Sequence, residues 1–169
     1  MGEGDSVTLN KNTVKIEGDR NLYNYTFTVH DDPSRDLLHV IESGDAHRVS
    51  QFLDAHPHLQ METAGSAHTP LHVAARLGNP EILRTLIQRG AGLETEDAER
   101  AGTALAWAAF YGHPAAVEEL LRSGARVNTL SLDNARAGAE GRLSDVSEAS
   151  ADDYKAVLAL LEKGETPQT

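Results

Sequence analysis

The chain has 169 residues, a formal net charge of −11 and no cysteine. Its 40% hydrophobic content is sufficient for a packed core and argues against disorder throughout. The 26 acidic residues outnumber the 15 basic ones, and no run of Lys or Arg is clustered, which argues against nucleic acid as the main partner. The lack of cysteine excludes disulfides, thiolate catalysis and Cys-based metal sites.

Targeting and membrane signals are missing from the sequence. The N-terminal stretch "MGEGDSVTLNKNTVKIEG" lacks the apolar segment of a secretory signal, and no run of about 18 apolar residues occurs. We therefore expect a cytoplasmic protein without a membrane partner. The Ala- and Arg-rich, Lys-poor composition suggests a bacterial source.

Residues 1–33 form a β-prone N-terminal extension with three short runs, "SVTL", "TVKIE" and "LYNYTFTV". The apolar members of the last run alternate with polar residues and are Tyr23, Tyr25, Phe27 and Val29. This alternation predicts a hairpin or small meander with one apolar face. We expect that face to pack on the first helix pair as a cap. The alternative is that the strand edge pairs with a second chain, forming a homodimer.

A repeat with an offset of 34 residues follows. The segment "HTPLHVAARLGNPEILRTLIQRGAGLE" aligns with the later segment "GTALAWAAFYGHPAAVEELLRSGARVN". Gly78 falls on Gly112 and, one period earlier, on Gly44. Self-similarity at a fixed period of this length is typical of a solenoid.

Local signals predict two short helices in each repeat. Thr69 is a suitable N-cap and Pro70 a suitable first helical residue, while Gly78 can end the helix in a left-handed conformation. A second helix begins after Asn79 and stops at Gly90. One such pair cannot bury its apolar face alone, so the pairs must stack.

The stretch "TPLHVAARLGN" resembles the signature of ankyrin repeats, and "TALAWAAFYGH" is a looser copy. The resemblance implies a mainly α fold, an ankyrin-repeat solenoid of about four helix-turn-helix units in two layers with finger loops on one side. It also implies non-catalytic protein binding through the concave inner-helix face and the fingers, without a cofactor. The positions to which it gives structural roles are Thr69, Pro70, His72, Gly78 and Gly112.

We assign the ankyrin-repeat domain to residues 34–165 and a C-terminal tail to 166–169. The predicted units are approximately 36–66, 67–100, 101–128 and 129–164. The last unit has two alignments. We favour the one that leaves 129–142 as a long loop. The other makes "NARAGAEGR" the inner helix and "LSDVSEAS" the insertion.

The aromatic residues Trp107, Phe110 and Tyr111 lie within five positions, in a chain with one Trp, three Phe and four Tyr. The resemblance places Phe110 and Tyr111 on the concave surface and Trp107 partly in the groove. Aromatic and Arg side chains are common anchors of binding hot spots. We therefore predict a partner-binding groove. The alternative is that the final loop, or the terminal helix with Tyr154, covers these rings.

Other contact residues are predicted from equivalent positions and from the charged finger "ETEDAER". The equivalent positions in the earlier units are Glu42, Val73, Arg76 and Leu77. In the finger we select Glu96, Asp97 and Arg100 as contacts that would favour a complementary partner. The alternative for the finger is a solvated loop.

Catalytic and metal-binding motifs are not found. The sequence has no GxSxG elbow, phosphate-binding glycine loop or HExxH. The cluster "HPHLQ" with His47 and His68 lacks the spacing of a zinc site. We predict no enzymatic activity and no metal, and a partner protein that is inhibited, neutralised as in immunity, or scaffolded. Two alternatives stay open: a structural protein that self-associates, and an enzyme or small-molecule binder with a pocket between the hairpin and the first helices.

Overall fold

The computed structural model describes residues 6–10, 13–17, 25–28, 33–57, 59, 68–143 and 147–165, with side chains from residue 36 to residue 164. The described part is mainly helical, with eight α-helices. None of the described helices has the length and apolar character needed to cross a membrane.

Three short strands precede the helices: β1 (Ser6–Asn10), β2 (Thr13–Glu17) and β3 (Tyr25–Thr28). They pair antiparallel in the order β1-β2-β3, with Val7 opposite Ile16 and Val14 opposite Phe27. Their side chains lie outside the described residues. The predicted cap on the first helix pair and the predicted pairing with a second chain therefore stay predictions.

The helices form two layers. The inner layer contains α1 (Pro33–Glu42), α3 (Pro70–Leu77), α5 (Ala104–Phe110) and α7 (Thr129–Ala139). The outer layer contains α2 (Ala46–Ala55), α4 (Pro80–Gln88), α6 (Pro114–Arg122) and α8 (Ala151–Glu165). Each inner helix contacts its outer partner and the inner helix of the next pair, and the outer helices contact one another in the same order. This is the stacking expected of a helical solenoid.

Local chemistry explains where the repeated helices begin and end. The Asn79 side chain caps α4 by accepting hydrogen bonds from the backbone N–H groups of Glu81 and Ile82 at 3.0 and 3.2 Å. Gly78 ends α3 in the left-handed region at φ 71°, a conformation that glycine adopts without steric cost. A Cβ at this position would also contact the His113 ring, so the space and the backbone both require glycine.

The inner layer contributes many alanines to the core beside larger residues such as Leu71 and Leu105, whereas the outer layer contributes mainly large residues. The fully buried alanines of the inner helices include Ala74, Ala75, Ala108, Ala109 and Ala135. Their small side chains let neighbouring inner helices approach closely. The outer helices bury Ile82, Leu83, Leu86, Val117 and Leu120. Burial of each such side chain stabilises the fold by about 1.5–3 kcal/mol.

Side chains of one unit also bind the carbonyl groups at the end of the preceding inner helix. Asn79 Nδ2 donates to the carbonyl of Gly44 at 3.0 Å, and His113 Nε2 donates to that of Arg76 at 2.8 Å. Asn79 and His113 occupy equivalent positions 34 residues apart. Their acceptors differ, since Gly44 is equivalent to Gly78 and not to Arg76. These bonds satisfy helix-end carbonyls that have no partner within the helix.

The favoured alignment of the last unit is wrong, because Thr129–Ala139 is the helix α7 and not part of a long loop. Asn128 and Ser131 form a capping box that starts α7, with Asn128 Oδ1 accepting from the Ser131 N–H at 2.8 Å. The residues that are inserted relative to the earlier repeats follow α7, as in the alternative alignment of the last unit. Gly138 packs directly against the Tyr154 ring of α8, where a larger side chain would not fit.

Candidate functional site: a pocket between α5 and α7

A pocket of about 240 Å³ opens between α5, the start of α7 and the loop that precedes α5. It is lined by His68, Glu99, Arg100, Gly102, Ala106, Trp107, Phe110, Tyr111, Leu130 and Asn134. We call this cavity the α5–α7 pocket. Half of its lining residues are aromatic or aliphatic, and its acidic and basic side chains, Glu99 and Arg100, come from one loop.

Three half-buried aromatic rings form one side of the pocket. The Phe110 and Tyr111 ring centroids are 5.1 Å apart at an interplanar angle of 78°, and those of Trp107 and Tyr111 are 6.1 Å apart. These separations are typical of favourable aromatic pairs. The rings therefore support one another while keeping part of their surface accessible.

A buried carboxylate fixes the loop under the pocket. Oδ1 of Asp97 accepts from the backbone N–H groups of Glu99 and Arg100 at 2.9 and 2.7 Å. Oδ2 accepts from the Gly102 N–H at 3.0 Å and from the Trp107 Nε1–H at 2.8 Å. One side chain thus closes the loop and orients the indole.

The charge of Asp97 is maintained by these bonds. Burial raises the pKa of Asp97, but the hydrogen bonds from Trp107 and from three backbone N–H groups outweigh burial and bring it to about 2. The turn that Asp97 closes places Ala101 in the left-handed region at φ 51°, which costs a residue with a Cβ about 1–2 kcal/mol. The hydrogen bonds to Asp97 offset that strain.

His72 connects α3 to the same loop. Its Nδ1 accepts from the Thr69 N–H at 3.1 Å, so its Nε2 carries the proton and donates to the Gly102 carbonyl at 2.9 Å. Burial lowers the pKa of His72, so the ring is neutral near pH 7. Thr69, His72, Gly102, Asp97 and Trp107 therefore form one hydrogen-bonded series that ends at the pocket.

The loop before α8 and α8 itself bind the backbone of the residues that carry the rings, and among the described residues they leave these rings partly exposed. The Tyr154 hydroxyl donates to the Phe110 carbonyl at 2.7 Å, and Ser147 Oγ donates to the Tyr111 carbonyl at 2.9 Å. Both bonds reach the backbone, and the side chains of Phe110 and Tyr111 stay half-exposed among the described residues.

With this geometry in place, the comparison with known families identifies the fold. Residues 37–131 match the model for ankyrin repeats in three copies, which is more than half of the 169-residue chain. The chain belongs to the ankyrin-repeat family. Ankyrin repeats generally mediate protein–protein interactions, and such domains are typically non-enzymatic.

The remaining predicted contacts of this ankyrin-repeat protein divide into exposed and buried residues. Leu77 is 37% exposed, and Arg76 forms an ion pair with Glu42 at 3.2 Å across the first two units. Glu96 is exposed on the finger loop. Val73 is 6% exposed and Asp97 3%, so neither side chain offers a contact surface. The prediction for Val73 and Asp97 is corrected accordingly, because the first packs in the core and the second closes its own loop.

Leu130 and Asn134 were missed by the sequence reasoning, because the favoured alignment put them in a loop. The Asn134 side chain donates to the Ala106 carbonyl at 3.0 Å and borders the pocket from α7. The other alignment of the last unit would have placed Asn134 on a helix, but not Leu130. Among the described residues, no group of three His, Asp or Glu side chains is placed to hold a metal ion.

Proposed function

We propose that this ankyrin-repeat protein is a non-catalytic binding module whose concave inner-helix face holds a partner protein. The observation that carries the proposal is the α5–α7 pocket, where Trp107, Phe110 and Tyr111 are partly exposed around an open cavity. Rings of this kind, packed at the centre of an interface, supply much of the binding free energy in protein complexes.

The contact surface extends from the pocket along the ends of the inner helices. Leu77 and Arg76 end α3 one repeat before Tyr111 and Phe110, and Glu42 ends α1 one repeat earlier. The exposed Glu96 continues the surface onto the finger loop. The aromatic end of this row supplies apolar anchoring, while the charged end favours a complementary partner.

The site is preorganised, which favours tight binding. The Asp97–Trp107 and Tyr154–Phe110 hydrogen bonds fix the helix that carries the rings. Ordering one mobile side chain on association costs about 0.5–1.5 kcal/mol, and a site already in place avoids much of that cost. We place this function in a bacterial cytoplasm, where tight binding would inhibit, neutralise or scaffold the partner.

The test compares two doubly substituted full-length proteins. Leu77→Ser with Tyr111→Ser removes two groove side chains, whereas Ala115→Ser with Glu118→Ser changes two exposed positions of the outer helix α6. Trp107 is kept, since its loss would also release Asp97. A partner captured from the source cells with the unsubstituted protein is then purified, and its Kd for each variant is measured.

We expect the groove variant to lose at least about 30-fold in affinity, because truncating each of the two side chains at a hot spot costs about 1 kcal/mol or more. The α6 variant should bind like the unsubstituted protein. Equal affinity of the two variants, with unchanged thermal unfolding, would show that the partner binds elsewhere.

The two alternative functions concern residues whose side chains the structure does not describe. Homodimerisation through the N-terminal strands is tested by the solution mass of the full chain and of a chain beginning at Asp31. A monomer in both cases would refute it. A pocket between the N-terminal hairpin and the first helices stays a prediction. The α5–α7 pocket is a different cavity, because it lies at the other end of the stack.

A further inference from the structure

Within the described part of the chain, Arg100 is a cation at the α5–α7 pocket that forms no ion pair. The arginines that form ion pairs with Asp or Glu are Arg48, Arg76, Arg84, Arg89, Arg122, Arg136 and Arg142. Among the described side chains, Arg100 and Arg126 form none, although the chain carries 26 acidic residues. Arg100 lines the pocket, whereas Arg126 does not.

The Arg100 guanidinium lies over the Phe110 ring, 5.2 Å from its centroid. This contact is a cation–π interaction, and it holds the guanidinium at the pocket rim. The planar group keeps its N–H donors, which match a carboxylate in a bidentate arrangement. Because the Arg100 guanidinium already covers this face of the Phe110 ring, a cation from a partner cannot contact the same face.

We propose that the α5–α7 pocket binds an extended segment of the partner in which an Asp or Glu side chain lies next to a large apolar side chain. Arg100 pairs with the carboxylate, and Trp107, Tyr111 and Leu130 surround the apolar group. This inference rests on the proposed function and names the chemistry that the pocket recognises.

The size of the pocket favours a single inserted side chain. Its volume of about 240 Å³ is below the roughly 300–1,000 Å³ of pockets that enclose a drug-sized ligand. A peptide side chain can enter while its backbone stays on the groove surface. The recognised unit is therefore part of a protein chain and not an enclosed cofactor.

Glu99 determines where the carboxylate can lie. Its Oε2 is 3.9 Å from His68 Nε2 and forms no ion pair with Arg100. A partner carboxylate near His68 would be repelled by Glu99, whereas one at Arg100 is attracted. The apolar side chain therefore enters beside Trp107, with the acidic residue on the Arg100 side.

The test uses the full-length protein and a displayed library of random peptides, with sequencing of the bound population. We expect selected peptides to be enriched in Asp or Glu next to an aromatic or large aliphatic residue. Arg100→Gln should remove the acidic preference. The matched control Arg126→Gln removes the other arginine without an ion pair and should leave the preference unchanged.

A selected peptide and its Asp→Asn or Glu→Gln counterpart then complete a double-mutant cycle with Arg100→Gln. Loss of the carboxylate should weaken binding to the unsubstituted protein about tenfold or more, as expected for a charge-assisted pair, and have little effect on binding to Arg100→Gln. Trp107 is the single tryptophan, so its fluorescence reports binding at the pocket.

The outcomes separate this inference from the proposed function. Selected peptides that depend on Tyr111 but carry Lys or Arg, or show no charge preference, would overturn the acidic segment and leave the binding groove standing. An acidic preference that survives Arg100→Gln would overturn it as well. A selection in which no peptide depends on Tyr111 would overturn both.

Discussion

Trp107 donates its indole N–H to Asp97 at 2.8 Å, so the tryptophan that lines the pocket also closes the loop beneath it. The same carboxylate holds three backbone N–H groups of that loop. The shape of the pocket and the conformation of the loop are therefore coupled through one buried acid.

Substitution of Asp97 should destabilise the protein and alter the environment of Trp107. In Asp97→Asn a side-chain NH2 group replaces one carboxylate oxygen, so the N–H groups that donated to that oxygen lose their acceptor. Leaving such buried donors unsatisfied costs about 1–3 kcal/mol. We expect the free energy of unfolding in urea to fall by about that amount, with a shift in Trp107 emission. Glu96→Gln, one residue earlier and exposed, should change stability by less than about 0.5 kcal/mol. Equal stability of the two variants would contradict this account.

Protonation of His72 should weaken the fold as the pH falls. Because the folded pKa of His72 lies below 6.5, the unfolded chain takes up the proton more readily. The neutral His72 ring therefore contributes fully to the free energy of unfolding above pH 6.5. This contribution is lost as the pH falls from 6.5 toward the lowered folded pKa, with a slope of up to about 1.4 kcal/mol per pH unit.

Urea unfolding at a series of pH values tests this dependence, and three proteins should be compared. His72→Gln should be less stable but should show a flatter decline below pH 6.5, because the titrating ring is gone. His39→Gln removes an exposed histidine of α1 and should keep the slope of the unsubstituted protein. An unchanged slope in His72→Gln would assign the pH dependence to other groups.

Glu119 is a buried carboxylate that joins the outer helices of two units. Arg84 donates to both of its oxygens, from Nε at 3.2 Å and from an Nη at 2.7 Å, and Arg122 contacts it from the same helix. In Glu119→Ala both arginines can be rehydrated, because 46% and 61% of their side chains are exposed. We therefore expect the free energy of unfolding to fall by about 1–2 kcal/mol, below the 3–5 kcal/mol typical when a charge stays buried without a partner.

Glu118→Ala, at the exposed neighbouring position, serves as the control. Thermal unfolding of the two should differ by several degrees, and equal melting temperatures would refute the role of Glu119.

Two helical glycines should respond in opposite ways to alanine. Gly→Ala normally stabilises an exposed helix by about 1 kcal/mol. At Gly138 a Cβ would collide with the Tyr154 ring, which is buried between α7 and α5 and cannot move away freely. At Gly164 a Cβ would meet only the side-chain ends of Leu121 and Val127, at 3.2 and 3.3 Å.

We expect Gly138→Ala to lower the free energy of unfolding by about 1–3 kcal/mol, the range for overpacking a core. Gly164→Ala should be neutral or stabilising. Chemical denaturation of both proteins gives the comparison. A stabilised Gly138→Ala would mean that Tyr154 does not pack as observed.

Much of the repeat could be predicted because its signals act over short distances. The Pro70 and Gly78 boundaries of α3 depend on the steric properties of residues at the helix ends themselves. The apolar positions of α4 and α6 follow helical periodicity, and Ile82, Leu83 and Leu120 are buried as that pattern indicates. The placement of Phe110 and Tyr111 on the concave surface was implied by the resemblance to ankyrin repeats and not by periodicity.

The last helix pair was harder to predict because α7 has little apolar character of its own. Its buried face consists of Ser131, Leu132, Ala135 and Gly138. A segment with so few large apolar residues resembles a polar loop in sequence. Gly138 lowers the helix propensity of α7. The absence of a side chain at this position leaves space for the ring of Tyr154, 16 residues later in the chain. A contact between residues so far apart gives no local signal.

The sequence by itself determined the repeat, through matching residues 34 positions apart, and the helix ends, which depend on residues within a few positions of one another. Tertiary structure decided which charged groups are buried. Asp97 and Glu119 look like solvated acids in the sequence, but Trp107 and Arg84 reach them only when the chain is folded. It also decided that the final helices would bind the backbone of Phe110 and leave its ring at an open pocket, because that outcome depends on distances between units and not on any one repeat.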